Sequence, residues 1–299
     1  MTIDRFVDPD DGDADAPAEG FLASRTALVT GAARRVGRAL ALALAAEGAH
    51  VVIHHHTAVD EAKALAKEIR HRGGSADVLP GDLADAAVAR ALPARAAELS
   101  GNPLDILVNN AAGNFLYPSE KLPIAGWKAV IDIVLNGTFY CSQIIGNQMI
   151  AQGGGQMINI LATYAWHGGP GTVHSASAKA GVLAMTRTLA VEWARHNIRV
   201  NAIAPGPFDT EGARTRLWPT EELQKSITDE IPLNRFADLQ EVARAVLYLT
   251  SPYASYITGE CLVIDGGAWL GKGIGRIMDK VDQFAEMREA SRRNRMGNK

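Results

Sequence analysis

Short apolar runs alternate along this chain with longer stretches in which apolar residues recur at helical spacing. The first run lies within residues 25–31, centred on Ala27-Leu28-Val29, and an alanine- and leucine-rich helical pattern begins at Arg38, just after Gly37. His50-Val51-Val52-Ile53 predicts a second strand, residues 59–70 a helix, residues 76–80 a third strand, and a further helix precedes a fourth strand over residues 104–110. The alternation continues with a helix over 127–149, a strand over 157–162, a helix over 177–194, a strand over 198–204, a helix over 239–249 and a strand over 261–265. Strands this short, rich in Val and Ile and without polar alternation, are the kind buried on both faces. Seven of them alternating with helices predict an α/β fold, a Rossmann-type doubly wound, seven-stranded parallel sheet with helices on both faces.

In such a sheet the ligand sits outside the carboxyl ends of the strands. The polar and glycine signals of this chain fall there: Gly31 to Gly37 after the first strand, the histidines after the second, Asp82 after the third, Asn109 to Gly113 after the fourth, Thr163-Tyr164 after the fifth and Pro205-Gly206-Pro207 after the sixth. After the fifth strand comes a loop holding Gly168, Gly169, Pro170 and Gly171, and then a helix whose first turns carry Ser175 and Lys179. Four residues apart, these two share a helix face, so a phenol, a hydroxyl and an ammonium can meet in one pocket.

Composition and charge narrow the partners. A length of 299 residues with 47% hydrophobic and 21% charged positions is that of a globular domain with tails. A formal net charge of −3 gives no reason to propose nucleic acid or a membrane surface as partner. No uninterrupted apolar run of membrane-spanning length and no secretory pattern stand out, so a cytoplasmic location is expected. Cys141 and Cys261 lack companions at ligand spacing and read as small core residues, and no metal site is predicted. Residues 1–22 read as an acidic leader, 23–270 as the Rossmann-type domain, and 271–299 as a helical, basic tail, with Ile277, Met278, Val281, Phe284 and Ala285 at helical spacing.

The residues at the strand ends resemble the short-chain dehydrogenase/reductase family over roughly positions 24 to 270: Thr30-Gly31-x5-Gly37, Asp82-Leu83, Asn109-Asn110-Ala111, Lys179, Pro205-Gly206 and Asp265-Gly266-Gly267 match its motifs in order. Two departures are informative. The family's tyrosine, four residues before its lysine, is here Ser175, and its serine, thirteen before that tyrosine, is Ala162. One branch that departs in this way is the 2,4-dienoyl-CoA reductases. Asn109 to Phe115, Asp132 to Thr138, Ser175 to Val182 and Pro205-Gly206-Pro207 resemble that branch, in which the working tyrosine lies fifteen residues before the lysine, as Tyr164 does here. The resemblance implies Asn136, Tyr164, Ser175 and Lys179 as active-site residues, an acyl-CoA substrate, a nicotinamide cofactor and a homo-oligomer, dimer or tetramer.

The glycine turn resembles a different branch. Arg35 stands where the family commonly has its middle glycine, as in the pteridine reductases, and His54-His55-His56 fits the same branch. Arg34, Arg35 and Arg38 place cations near the expected phosphates, and no carboxylate ends the second strand to hold ribose hydroxyls, so NADPH is the expected cofactor. The alternative is that these arginines and histidines are solvated loop residues. The expected cofactor-binding set is Gly31, Arg34, Arg35, Val36, Gly37, His54, His55, His56, Asp82, Leu83, Asn110, Ala111, Lys179, Pro205, Gly206 and Thr210.

Chemically, a 2,4-dienoyl thioester takes hydride at the far end of its conjugated system, and charge develops on the thioester oxygen. Tyr164 and Asn136 are neutral donors suited to that oxygen. Lys179 is expected to bond the nicotinamide ribose and to depress the tyrosine pKa. Asn136 falls within a helix, where Asn is unfavourable unless it bonds something. Residues 207–225 suit a flap over the substrate, with Phe115, Phe208 and Trp218 as candidate acyl-pocket aromatics. A reductase of conjugated acyl-CoA thioesters is the first reading; a reductase of a pterin or small cyclic carbonyl or imine, and a catalytically silent dinucleotide binder, are the alternatives.

Overall fold

A computed structural model describes residues 20–208 and 220–270, together with residues 281, 283, 287, 288 and 293. The chain divides into two compact units, one of residues 1–205 and 238–264, the other of residues 206–237 and 265–299.

The first unit holds the sheet. Its strands are β1 (Thr26–Val29), β2 (His50–His55), β3 (Ser75–Pro80), β4 (Ile106–Asn109), β5 (Gly155–Ile160), β6 (Ile198–Pro205) and β7 (Cys261–Ile264), in the order β3-β2-β1-β4-β5-β6-β7. Every pairing is parallel. All seven carboxyl ends therefore share one edge, and the winding reverses between β1 and β4, where a crevice opens. The core runs through Leu28, Val52, Leu107, Met157 and Val200, all fully buried. The helices follow the predicted alternation: α1 (Arg35–Ala46), α2 (Val59–His71), α3 (Ala86–Ser100), α4 (Ile124–Ile131), α5 (Gly137–Gln152), the short α6 (Tyr164–His167) and α7 (Val173–Trp193). In the second unit α8 (Glu221–Asp229) starts at Thr220, whose hydroxyl accepts from Leu223 N at 3.3 Å. Back in the first, α9 (Leu239–Thr250) is launched by a reciprocal cap: the Asp238 carboxylate accepts from Gln240 N at 2.9 Å and Glu241 reaches back to Asp238 N at 2.8 Å.

Three expected boundaries move. The second strand extends through His54 and His55, which pair in register with Leu79 and Pro80 of β3, so these histidines are inside the sheet and not in the loop after it. Leu22 is buried and its N–H donates to Glu47 O at 2.9 Å, so the fold reaches into the expected leader; residues 1–19 lie outside the described residues. A π-helical turn over Asp132–Asn136 joins α4 to α5 in one 29-residue helical run, long and apolar enough by composition to cross a membrane. Its inner face is core, with Cys141, Ile145 and Met149 fully buried. In the tail, Val281 and Met287 are helical and exposed; Ile277, Met278, Phe284 and Ala285 lie outside the described residues.

In the second unit, Asp265 organises a tight turn by accepting from Gly267 N at 2.9 Å and Trp269 N at 2.8 Å. Gly266 and Gly267 have φ of 64° and 86°, which accounts for the paired glycines of this motif.

A buried polar chain crosses the sheet beneath its functional edge. Asn109 of β4 donates to Ser142 Oγ of α5 at 3.0 Å and to Asn159 Oδ1 of β5 at 2.8 Å, and Asn159 donates to Thr186 Oγ1 of α7 at 2.8 Å. All four residues are buried, so each bond removes an otherwise unsatisfied group. Asn159→Leu removes one acceptor of the buried Asn109 amide and the donor to Thr186, and is expected to lower unfolding free energy by about 1–3 kcal/mol, read from urea denaturation.

Candidate active site

The glycine turn after β1 is built on backbone contacts. Thr30 Oγ1 accepts from the N–H groups of Asn110 and Ala111, both at 2.9 Å, and the Asn110 amide donates to Thr30 O at 2.9 Å and Gly31 O at 3.1 Å. Asn110, expected to touch cofactor, thus uses its side chain to clamp the turn. A Cβ on Gly37 would collide with Gly31 O, so the first turn of α1 can approach β1 only with glycine there. The turn leads into the N-terminus of α1, which has no side-chain cap, and a helix start of this kind takes phosphate.

The cations around it differ in availability. Arg34 is 3.4 Å from Glu61 and Arg38 is paired with Glu68, so both are partly neutralised. Arg35 is exposed, has no ion-pair partner among the described residues, and holds φ at 51°, a left-handed conformation unfavourable for a side chain this large. The half-buried Val36 follows it. The histidines separate as well. His54 is buried, and its Nδ1 accepts the Gly31 N–H at 3.3 Å; His55 is buried with Nδ1 unpartnered. His56 is exposed, 3.9 Å from Asp82, whose carboxylate also accepts from Ala84 N at 3.0 Å. The solvated-loop reading therefore fails for His54 and His55. Leu83 is buried, Pro205 ends β6, and Gly206 opens the second unit, where Phe208 bridges Ala237. Thr210, Trp218 and most of the expected flap lie outside the described residues.

Tyr164 opens α6 directly after β5, and its hydroxyl lies 2.9 Å from Ser175 Oγ on α7. One turn on, Lys179 is buried and its Nζ donates to Ile160 O at the end of β5. Burial brings the Lys179 ammonium down to about 8. Burial also raises the Tyr164 phenol above its ordinary value, with the Ser175 hydrogen bond opposing. The expected lowering of the tyrosine by Lys179 is thus absent: desolvation dominates, and the ammonium is turned to a backbone carbonyl. Tyr164 is held as a neutral phenol, a proton donor and not a phenolate. Asn136 sits at the last position of the π-helical turn, and its amide donates to Asp132 Oδ1 at 2.9 Å, leaving one N–H and its carbonyl oxygen.

One residue here escaped sequence reasoning. His174, beside Ser175, is fully buried, and neither ring nitrogen has a well-formed hydrogen bond, the Thr172 backbone being its polar neighbour. Burial lowers its pKa, the Thr172 carbonyl opposing, so the ring is neutral. The Phe115 ring covers it, with centroids 4.4 Å apart. The available signal was a histidine at the start of a helix next to a candidate site residue, which by itself is commonplace.

A parallel doubly wound sheet, a glycine turn at its switch point and a tyrosine, serine and lysine beyond β5 together define a dinucleotide-dependent oxidoreductase. The chain belongs to the short-chain dehydrogenase/reductase family: residues 31–268 match a family described as enoyl-(acyl carrier protein) reductase. It is 44% identical over 250 residues to a probable 2,4-dienoyl-CoA reductase of Bacillus subtilis, covering 82% of this chain and 97% of that protein. It is 40% identical over 252 residues to the peroxisomal 2,4-dienoyl-CoA reductase of Pongo abelii, covering 84% and 85%. Among solved structures, a short-chain dehydrogenase from Bacillus anthracis superposes with TM-score 0.75 at 43% identity, covering 83% of this chain and 98% of that one. A gluconate 5-dehydrogenase from Burkholderia cenocepacia, in complex with NADP and tartrate, superposes with TM-score 0.79 at 32% identity over 84% and 98%.

The buried His54 makes stability depend on pH. Its pKa is lowered from 6.5 to about 4, chiefly by burial, with His55 adding to the effect. The unfolded chain therefore binds the proton first, and stability falls as pH drops from 6.5 towards 4. Over that window the loss is expected to approach 3 kcal/mol, about what a shift of this size implies. Urea midpoints at pH 7 and pH 4.5 should converge less in wild type than in His54→Leu, whose residue 54 has no proton to gain.

Proposed function

We propose that this chain is an NADPH-dependent reductase of conjugated acyl-CoA thioesters, of the 2,4-dienoyl-CoA or 2-enoyl-CoA kind. The observation that carries this is the Tyr164–Ser175 pair at 2.9 Å, with the tyrosine on α6 and the serine one turn before Lys179. A ketone reductase of this family needs its tyrosine where Ser175 stands; a neutral phenol delivered from α6 instead serves an oxygen that gains charge at a distance from the reacting carbon. The similarity to two dienoyl-CoA reductases supports the same substrate class.

Bound NADPH would supply the hydride. The cradle made by Gly31, Gly37 and the start of α1 fits its pyrophosphate, and the exposed Arg35 and His56 fit a 2′-phosphate, while the end of β2 offers no carboxylate to repel one. Since Arg35 and His56 belong to this cradle, they bear on the choice of dinucleotide and not on a pterin ring. Lys179, released from Ile160 O, would hold the nicotinamide ribose. With Ser175 donating to the phenol oxygen, Tyr164 directs its own proton at the thioester oxygen, and the second N–H of Asn136 is the further donor. One well-aimed donor is worth on the order of 3 kcal/mol as the charge develops. Helices α5 and α7 expose Phe139 and Val191 and are the expected faces of a homo-oligomer.

Steady-state loss of NADPH absorbance with 2,4-decadienoyl-CoA tests the assignment. Tyr164→Phe and Lys179→Ala are each expected to lower turnover about 100-fold; full activity in both overturns the site. Turnover of dihydropterins but not of acyl-CoA esters reassigns the substrate, and NADPH binding without turnover of either marks a silent member. For the cofactor, Arg35→Gln is expected to weaken NADPH binding about tenfold, the effect of one lost charge-assisted hydrogen bond, and to leave NADH binding unchanged, both read by nicotinamide fluorescence.

A further inference from the structure

We infer that His54 is a positioning residue of the dinucleotide site: its Nδ1 takes up the Gly31 N–H and so holds the glycine turn after β1 in the shape that receives a pyrophosphate, while the ring itself does not meet the dinucleotide. Dinucleotide binding is required for this role; the identity of the reduced substrate is not.

Gly31 is where β1 gives way to the turn. The pairing of β1 with β2 ends at Val29, opposite Ile53, and Gly31 then takes φ of 61°, so its two polar groups leave the strand pattern. Both are nevertheless held. Its carbonyl accepts from the Asn110 amide at 3.1 Å, and its N–H donates to His54 Nδ1 at 3.3 Å. The next N–H, of Ala32, donates to the carbonyl of the same histidine at 2.8 Å. The turn is therefore gripped from the β4 side by Asn110 and from the β2 side by His54. Gly37 of α1 packs against the same Gly31 carbonyl, so a shift of Gly31 carries the start of the helix with it. A turn held in this way needs no ordering when a ligand arrives, and such preorganisation raises affinity without a contact to the ligand.

The ring is placed to act on the turn and not on a ligand. His54 is 2% exposed, whereas Arg35 and His56 are open to solvent. Its second nitrogen, Nε2, faces the loop after β3: a Cβ on Gly81 would lie 3.5 Å from it, and the Gly81 backbone is its polar neighbour. The imidazole thus stands between the glycine turn and the loop that carries Asp82 and Leu83. An acceptor at Nδ1 requires a neutral ring with its proton on Nε2. Burial is the main cause that keeps it neutral, and His55, His56 and Arg95 of α3 act in the same direction; the Gly81 backbone opposes them, and the pKa is lowered from 6.5 to about 4. Nδ1 is then an acceptor throughout the neutral range. Leucine at this position would fill the space and leave the Gly31 N–H without its partner. Asparagine would carry Oδ1 as far along the side chain as histidine carries Nδ1.

Dinucleotide affinity tests the role, read by nicotinamide fluorescence at pH 7 with the full chain and no acyl-CoA. His54→Leu is expected to bind NADPH and NADH each about tenfold more weakly, one hydrogen bond's worth, because the two share the pyrophosphate; a residue that touches the 2′-phosphate would weaken NADPH alone. His54→Asn is expected to recover most of the affinity for both. In wild-type protein labelled with nitrogen-15 histidine, the His54 resonances, identified by their loss in His54→Asn, should show an unprotonated Nδ1 and a protonated Nε2. Undiminished affinity in His54→Leu overturns the proposal, as does a loss confined to NADPH, His54→Asn no better than His54→Leu, or a proton on Nδ1. Wild-type protein that binds neither dinucleotide overturns both this role and the proposed cofactor. Wild-type protein that binds dinucleotide but reduces no acyl-CoA overturns the proposed substrate and leaves the role of His54 to stand on the affinities of its variants.

Discussion

The clamp between Thr30 and Asn110 is the contact on which the functional edge depends. It ties the end of β1 to the end of β4 across the point where the winding reverses, with one hydroxyl accepting two backbone N–H groups and one amide closing on two carbonyls. At a switch point the loops on either side diverge, and nothing in the strand ladder holds them. The clamp does so, and the close packing at Gly37 then fixes where the first turn of α1 begins. A phosphate-binding turn follows from that geometry and from the helix end.

Polarity inside this fold is arranged in layers. The chain from Ser142 through Asn109 and Asn159 to Thr186 is buried and structural. Directly above it, Asn159 is followed by Ile160, whose carbonyl receives Lys179. The same strand thus fixes α7 through Thr186 and parks the ammonium through its last carbonyl. Above that, Tyr164 and Ser175 are bonded to each other and leave hydrogen-bonding capacity for a ligand. Buried ring nitrogens of His54, His55 and His174 are the exceptions to this satisfied interior.

Charge around the glycine turn shows the same economy of use. Of three neighbouring arginines, two are drawn towards glutamates of α2, and the third is left exposed on a strained backbone. Lys179 and Tyr164 illustrate how burial governs protonation: both are shifted towards their neutral forms by desolvation, and the hydroxyl pair keeps its protons for donation.

Much of this was legible in the residues themselves. Apolar runs without alternation specify strands buried on both faces, and their alternation with helices specifies a parallel sheet, because a parallel pair requires a crossover. The ordering of Gly31, Asp82, Asn110, Tyr164 and Pro205 at successive strand ends follows from that, as does the pairing of Ser175 with Lys179 on one helix face. Tertiary contact decided the rest. Whether His54 belongs to a loop or a strand depended on its register with Leu79, whether Arg34 was available depended on Glu61 of another helix, and whether Tyr164 became a phenolate depended on burial. A local pattern carries periodicity and spacing; desolvation and pairing are set by residues distant in the chain, and no stretch of sequence contains them.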